Sequence, residues 1–203
     1  MRFSIVMPSY LAMYPGAAKE RDGKLLRAVN SCLSQTFEDW ELHIVSDGCQ
    51  KTIDIIQSNI KDKRVRLWKI AHRKLWSGYP RNKGIEEAKG EFIIYLDIDD
   101  IYGDNHLQIV NEGIKSYDWV WYNDIRYKPK ENVWIENPCD IRQIGQHGTS
   151  NVCHKTSLNA FWDEKGRYAH DYYFVQKLLG FSNYTKITTP EYYVCHVPGG
   201  YDL

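Results

Sequence analysis

The chain contains 203 residues, which suits one domain with a sizeable core, and its 26 basic residues are balanced by 26 acidic ones. With no net charge, the overall electrostatic field gives no reason to expect general nucleic-acid binding. No apolar run in the sequence is long enough to span a membrane, and the first residues show no signal-peptide pattern, so we expect a soluble cytoplasmic protein. The five cysteines are odd in number and scattered, which argues against a disulfide framework.

Strand-like and helix-like segments alternate through the first half of the chain. Short apolar runs predict strands at residues 3–7, 42–45, 65–70 and 92–96. Apolar residues at helical spacing, and a proline near one helix start, predict helices at residues 24–35, 53–60, 80–89 and 106–115. This β-α-β-α order predicts a parallel sheet with right-handed crossovers.

The alternation changes after Ser116. Short strands are predicted at residues 119–122, 125–127, 133–136, 151–153 and 192–196, and helices at residues 157–161 and 171–179. The second and third of these strands are separated by a polar segment, which predicts a hairpin added to the otherwise parallel sheet. The sequence therefore predicts an α/β fold, with a mainly parallel sheet flanked by helices and antiparallel additions in the second half.

Three carboxylates, Asp97, Asp99 and Asp100, directly follow the apolar run at residues 92–96. A buried strand here would place them at the carboxyl edge of the sheet, where open α/β sheets bind ligands. Strand periodicity would point Asp97 and Asp99 to the same side. Because so much negative charge repels itself, a hard cation is the expected partner. The alternative is that these are solvated loop acids.

The two common phosphate-binding loops are missing from the sequence. The first strand is followed by Pro8-Ser9-Tyr10 instead of a Gly-x-Gly-x-x-Gly turn, and no Gly-x-x-x-x-Gly-Lys-Ser/Thr loop is present. Without such a loop, a bound diphosphate needs a metal and cationic side chains. The carboxylates can supply the first and Arg81, at the start of a predicted helix, the second.

Several blocks of the first half resemble, in order and spacing, those of family 2 glycosyltransferases. The blocks are Phe3-Ser-Ile-Val-Met-Pro-Ser-Tyr10, Ser31-Cys-Leu-Ser-Gln-Thr-Phe-Glu-Asp-Trp-Glu-Leu42, Val45-Ser-Asp-Gly48, Arg81-Asn-Lys-Gly-Ile-Glu-Glu-Ala-Lys-Gly-Glu-Phe-Ile93 and Leu96-Asp-Ile-Asp-Asp100. The resemblance covers residues 3 to about 107, and Ala169-His170-Asp171 resembles the family's acidic pair at the start of a late helix.

The resemblance implies a single GT-A domain over residues 1–203, Rossmann-like in its sheet. Residues 1–107 would bind the nucleotide-sugar, and residues 108–203 would bind the acceptor and supply the catalytic base. It also implies a nucleotide-diphosphate sugar donor, Mn²⁺ or Mg²⁺ as cofactor, and transfer with inversion at the anomeric carbon. We expect a UDP-sugar as the donor.

The resemblance also assigns roles to individual residues. Pro8 and Tyr10 would line the base pocket, and Asp47 would accept a hydrogen bond from the base or ribose. Arg81 would lie beside the nucleotide. Asp97 and Asp99 form a DXD motif that would hold the metal on the diphosphate.

Two later residues complete the proposed site. Asp171 would be the general base, because the acceptor hydroxyl must lose its proton to a carboxylate distant from the metal; the alternative is a helix N-cap. His196 is a candidate third metal ligand; the alternative, which the sequence favours somewhat, is an ordinary surface or core histidine.

Five other residues are weaker candidates. His147, in a loop rich in glycine, serine and threonine, could contact the sugar or the acceptor, or could be an ordinary loop histidine. Trp76 and Tyr79 could stack on a substrate or simply pack beneath a loop. Lys74, with the neighbouring Arg73, could contact the diphosphate or be solvated.

The leading interpretation is a metal-dependent inverting glycosyltransferase that acts in glycan or polysaccharide synthesis. Glycan, protein and lipid-linked acceptors, a peripheral membrane contact and the oligomeric state all stay open, whereas a nucleic-acid acceptor is disfavoured by the neutral charge. The alternatives are a non-catalytic sugar-nucleotide-binding module or subunit of a larger assembly, and a nucleotidyltransferase.

Overall fold

The computed structural model describes residues 1–73, 76–166 and 168–203. The strands are, in chain order, β1 (Phe3–Ser9), β2 (Trp40–Asp47), β3 (Val65–Ile70), β4 (Phe92–Tyr95), β5 (Ile101–Tyr102), β6 (Trp119–Trp121), β7 (Asp124–Lys128), β8 (Val133–Asn137), β9 (Val152–Lys155), β10 (Tyr184–Lys186), β11 (Tyr192–Val194), β12 (His196–Val197) and β13 (Tyr201–Asp202). The helices are α1 (Arg21–Leu33), α2 (Gln50–Asn59), α3 (Gly78–Glu87), α4 (His106–Ile114) and α5 (His170–Leu178).

The central sheet has the order β10-β6-β9-β4-β1-β2-β3. Its first-half strands are all parallel, since β1 pairs in parallel with both β2 and β4, and β2 with β3. In the second half, β9 runs antiparallel between β4 and β6, and β10 pairs in parallel with β6. The mainly parallel α/β fold with antiparallel additions is thereby confirmed.

Both faces of the sheet are buried under helices, which explains the continuous apolar runs of its strands. Alternate residues of β1 point to opposite faces: Ile5 packs in one cluster with Leu25 and Val29 of α1, whereas Val6 packs in the other. This second cluster includes Phe174 of α5. The carboxyl ends of β1, β2 and β4 therefore meet at one edge between two packed layers.

Strand β1 continues through Pro8 instead of ending there as predicted. The backbone N–H of Leu96 donates to the carbonyl oxygen of Val6, so the polar groups of Val6 face β4. Pro8, two residues on, faces the same side, where β4 pairs no further than Val6. The missing N–H of the proline therefore costs no ladder hydrogen bond, and pairing with β2 extends to Ser9.

Three other predicted elements, all in the second half of the chain, differ from what the structure shows. The helix predicted at residues 157–161 is wrong, because a short 3-10 turn at Thr156–Leu158 ends where Asn159 adopts a left-handed φ of 49°. The predicted hairpin, β7–β8, forms but belongs to a second sheet of order β5-β11-β7-β8. The last predicted strand breaks after Val194, because the backbone N–H of Cys195 donates to the buried Asp100 carboxylate at 2.8 Å.

In the described parts of the chain, no helix combines the length and the apolar character that crossing a membrane requires.

Candidate functional site

A carboxylate and two stacked rings lie together at the carboxyl end of β2. Asp47 is 7 % exposed, and its Oδ2 lies 3.0 Å from Nδ1 of His72. Its Oδ1 is buried and has no hydrogen-bond partner among the described residues. The Tyr10 ring stacks on the His72 ring at 4.4 Å and an interplanar angle of 3°. Half-buried Pro8 precedes this group at the end of β1. Together they present flat rings beside an acceptor oxygen that is free to take a hydrogen bond.

Gly48 permits this arrangement because it has a left-handed φ of 64° and no side chain. A Cβ at this position would lie 2.5 Å from the Cβ of His72 and 2.8 Å from its backbone nitrogen. The backbone of residue 48 therefore approaches His72 more closely than any other residue type would allow.

The carboxylates follow β4 in a turn rather than in an extended strand, since the backbone N–H of Asp100 donates to the carbonyl oxygen of Asp97 at 3.2 Å. Strand periodicity is therefore not what relates Asp97 to Asp99. Asp97 and Asp99 remain half-buried, whereas Asp100 is buried and accepts from Tyr192 Oη at 2.9 Å. Asp100 thus ties the turn to β11, and the other two carboxylates stay available to a ligand.

A buried guanidinium accompanies these carboxylates. Arg81 of α3 is 3 % exposed, and its Nη2 donates to Oδ1 of Asp97 at 2.7 Å. Its guanidinium carbon lies 4.8 Å from the Trp162 ring centre. The pKa of the Asp99 carboxyl is raised by burial and by the charge of Asp97.

These residues fit a divalent cation that a diphosphate would complete. Among the described residues, no three His, Cys, Asp or Glu side chains converge into a ready metal cluster. Magnesium, however, is commonly held by one or two carboxylates together with substrate phosphates. Burial first, and the charge of Asp97 second, raise the pKa of Asp99, and a cation held by these two carboxylates would favour their ionised forms.

His196 does not face these carboxylates with a free nitrogen. Its Nδ1 lies 3.0 Å from Oδ1 of Asp202, and its Nε2 lies 2.8 Å from the carbonyl oxygen of Gly16. Binding a metal through His196 requires one of these contacts to break, and its role as a third ligand stays a prediction.

The long loop between β1 and α1 lies beside the carboxylates. The pKa of Tyr14 is raised by burial and, among its charged neighbours, by Asp99 and Asp97, while Arg21 opposes the rise. The Arg21 guanidinium carbon sits 4.7 Å from the Tyr14 ring centre. The loop is also tied to the β12–β13 hairpin, since the backbone N–H of Lys19 donates to Asp202 at 2.8 Å.

The start of α5 approaches the same edge from the other side. Nε2 of His170 lies 3.4 Å from Nη1 of Arg81, and burial and the Arg81 charge lower the pKa of His170. Asp171 follows in the first turn, half-buried, and its Oδ1 accepts from the backbone N–H of Tyr172 at 2.8 Å. Ala169 occupies the N-cap position, so Asp171 is not the capping residue.

Three more of the candidates, Arg73, Trp76 and Tyr79, lie at or just before the start of α3. Trp76 is 51 % exposed and meets the His170 ring edge-on at 5.4 Å. The Arg73 guanidinium carbon lies 3.5 Å from the ring centre of Tyr79, so this pair is engaged internally. Lys74 lies outside the described residues. His72 was not predicted from the sequence, although a histidine two residues beyond the strand predicted at residues 65–70 is a signal for this edge.

This architecture, with carboxylates at the carboxyl edge of a mainly parallel sheet, is that of GT-A glycosyltransferases. S. aureus TarS 1-349, solved in complex with UDP-GlcNAc, shares the fold at a TM-score of 0.75 and 18 % identity, over 96 % of this chain and 58 % of TarS 1-349. Residues 4–177 match the family described as Glycosyl transferase family 2, and the chain belongs to that family.

Two curated relatives show how much of a longer protein the alignment spans. An uncharacterized glycosyltransferase of Haemophilus influenzae is 36 % identical over 107 residues, which are 52 % of this chain and 39 % of the relative. The UDP-Glc:alpha-D-GlcNAc-diphosphoundecaprenol beta-1,3-glucosyltransferase WfgD of Escherichia coli is 32 % identical over 106 residues, 52 % of this chain and 38 % of WfgD. The chain thus matches less than half the length of each.

Proposed function

We propose that this chain is a metal-dependent, inverting glycosyltransferase that moves a sugar from a UDP-sugar to an acceptor hydroxyl. The observation that carries the proposal is the unpartnered, buried Oδ1 of Asp47 beside the stacked rings of Tyr10 and His72. Leaving a buried acceptor unpaired costs about 1–3 kcal/mol. A nucleobase with an N–H in its ring plane, such as uracil, would satisfy this oxygen while lying against Tyr10.

The diphosphate would lie along the same edge, toward Asp97, Asp99 and Arg81. Mn²⁺ or Mg²⁺ held by Asp97 and Asp99 would neutralise the charge that develops on the leaving diphosphate. Arg81 contributes a second positive charge that is already fixed by Asp97, so it needs little reorganisation during the reaction.

Asp171 is placed in the proposal as the general base. It follows His170, which contacts Arg81, so its helix joins the second half of the chain to the carboxylate edge. It would take the proton of the acceptor hydroxyl as that oxygen attacks the anomeric carbon opposite the diphosphate. The E. coli relative WfgD is named for UDP-Glc, and TarS 1-349 was solved with UDP-GlcNAc, which supports testing both donors.

Thermal melting with nucleotides tests the donor site. UDP at about a hundred times its dissociation constant adds roughly 2.7 kcal/mol of stability. A chain of this size then gains about 5–10 °C in Tm. We expect this rise to require Mn²⁺, to disappear with EDTA, and to be lost in Asp47→Ala and Asp99→Asn. Asp54→Asn on the exposed side of α2 is the matched control and should keep the rise.

The outcome pattern separates the hypotheses. A rise with GDP or CDP but not UDP would reject the UDP donor. No rise with any nucleotide would reject the donor site itself. If UDP binds but Asp171→Asn leaves UDP release from UDP-glucose and UDP-GlcNAc unchanged, Asp171 is not the base. Donor binding without any transfer would favour the non-catalytic module instead.

A further inference from the structure

Trp76 is an exposed tryptophan whose ring is nevertheless held in place. Its side chain is 51 % exposed, more than that of any other tryptophan in the chain. The indole lies directly against the backbone of Gly166, where a Cβ would sit 2.5 Å from Cδ1 of Trp76. It also meets the His170 ring edge-on, with the ring centres 5.4 Å apart. A large ring with a fixed orientation and an open surface is suited to binding a ligand at low entropic cost.

A column of aromatic rings connects Trp76 to the core. Phe174, which is buried, stacks on Trp162 at 4.0 Å, and Trp162 meets the other side chain of the column, His170, edge-on at 5.6 Å. Trp162 is fixed to α3 in both directions: Nδ2 of Asn82 donates to its carbonyl oxygen at 3.0 Å, and its backbone N–H donates to Oδ1 of Asn82 at 2.7 Å. The support of the Trp76 ring is therefore formed before any ligand arrives.

Trp76 lies next to both parts of the proposed reaction centre. Its neighbour Ser77 accepts a hydrogen bond from Nη1 of Arg81, the guanidinium that also binds the carboxylates after β4. On the other side, His170 directly precedes Asp171, the proposed base, and its Nε2 lies 3.4 Å from the same Nη1. The nucleobase is proposed to bind elsewhere, at the ends of β1 and β2. A ligand on Trp76 would therefore be the molecule that Asp171 deprotonates, which is the acceptor.

We propose that Trp76 is a stacking platform for the acceptor and that the acceptor is a pyranose sugar. This inference rests on the proposed function. A pyranose has a face of C–H groups that packs on an indole ring, while its hydroxyl groups stay at the rim, where Asp171 can accept from one of them. About half of the Trp76 side chain is covered, so the indole is set into the surface instead of protruding from it, as insertion into a membrane would require.

Saturation-transfer NMR tests the stacking directly, with and without UDP and Mn²⁺. The probes are the methyl β-glycosides of glucose, galactose and N-acetylglucosamine. Saturating the aromatic resonances of the protein should transfer magnetisation to hydrogens on one ring face of a probe, and not to sorbitol, which has hydroxyl groups but no ring. Trp76→Ala should abolish the transfer, and Trp76→Phe should keep part of it. Trp134→Ala, which removes a tryptophan of 39 % exposure on β8, is the matched control and should keep all of it.

Turnover then tests the role of the platform. Transfer of sugar from UDP-glucose and UDP-GlcNAc to the probes is compared with hydrolysis, in which water is the acceptor and has no face to stack. The ratio of transfer to hydrolysis should fall about tenfold in Trp76→Ala, which corresponds to about 1.4 kcal/mol of binding. Trp134→Ala should keep the ratio. An equal fall of transfer and hydrolysis in Trp76→Ala would mean a structural role only and overturn the platform.

The binding results separate this inference from the function on which it rests. Probe binding that depends on Trp76, in a chain whose Tm rises with no nucleotide, would support the sugar site and reject the proposed donor site. A Tm rise with UDP, but no transfer of magnetisation to any probe or transfer that Trp76→Ala leaves unchanged, would overturn the platform alone. Binding to phosphatidylglycerol vesicles that Trp76→Ala abolishes, with the probe signals unchanged, would overturn it in favour of a membrane contact.

Discussion

Gly48→Ala should both destabilise the fold and weaken nucleotide binding at the base pocket proposed above. The new Cβ would lie 2.5 Å from the Cβ of His72 and 2.8 Å from its backbone nitrogen. Because one of these atoms belongs to the main chain, the overlap cannot be relieved by a side-chain rotation. The His72 backbone, and the ring that stacks on Tyr10, must move.

The magnitude follows from two contributions. A left-handed φ costs a residue with a Cβ about 1–2 kcal/mol. Forcing an extra methyl group into a packed site costs about 1–3 kcal/mol more. The free energy of unfolding should therefore fall by about 2–5 kcal/mol, which is a drop in Tm on the order of 10 °C for a chain of this length.

Gly199→Ala separates the two contributions. Gly199 also has a left-handed φ, of 74°, but a Cβ there meets nothing within 4 Å. It should lose only the 1–2 kcal/mol of backbone strain, or about half as much. Urea unfolding measures both variants, and calorimetry with UDP should show weaker binding for Gly48→Ala alone. Equal destabilisation, or unchanged UDP affinity in Gly48→Ala, would refute the contact with His72 as the reason for this glycine.

Two further substitutions have defined outcomes. His106→Phe removes a histidine whose pKa is lowered by burial to about 3. The histidine binds a proton near pH 6.5 in the unfolded chain but not in the folded one. The free energy of unfolding therefore decreases as pH falls below 6.5, by up to about 1.4 kcal/mol per pH unit. Urea unfolding at pH 7 and pH 5 should show that His106→Phe flattens this slope, and identical slopes would contradict the assignment. Asp202→Ala removes the hydrogen bond from the backbone of Lys19, which contributes about 1 kcal/mol. The rate of tryptic cleavage within residues 10–21 should therefore rise several-fold. An unchanged rate would mean that the β12–β13 hairpin does not hold the loop between β1 and α1.

The strands and helices of the parallel half could be predicted from the sequence because the local pattern of apolar residues there agrees with their burial in the fold. Strand β3 lies where the apolar run predicted it, and Pro80 falls in the first turn of α3. The second half depends on contacts that no local pattern encodes. The predicted last strand, for example, ends early because Asp100, 95 residues before Cys195, takes the hydrogen bond that would have continued the ladder.

The site shows the same division. The alignment of strand ends brought Asp47 and Asp97 to one edge, as their positions after parallel strands indicated. The sequence did not indicate which of the three clustered carboxylates stays accessible, because Asp100 is held inward by a hydrogen bond from Tyr192, which lies on a distant strand. The burial of His147 could not be predicted either, because its loop is fixed by the hydrogen bond from Gln176 of α5 to the carbonyl oxygen of Ile141.

The antiparallel strand β9 has a consequence for how this protein can be divided. The half that we propose to bind the nucleotide-sugar ends, in sequence, near residue 107, but its strand β4 pairs along its outer side with β9, where Ile94 lies opposite Cys153. In a fragment cut at residue 107, β4 would be an edge strand with unpaired N–H and C=O groups. Ile93 would also lose its packing in the cluster that includes Phe174 of α5. Such edges recruit strands from other molecules. The two halves proposed from the sequence therefore share one sheet, and we expect neither to fold as an independent module without a new strand to close that edge.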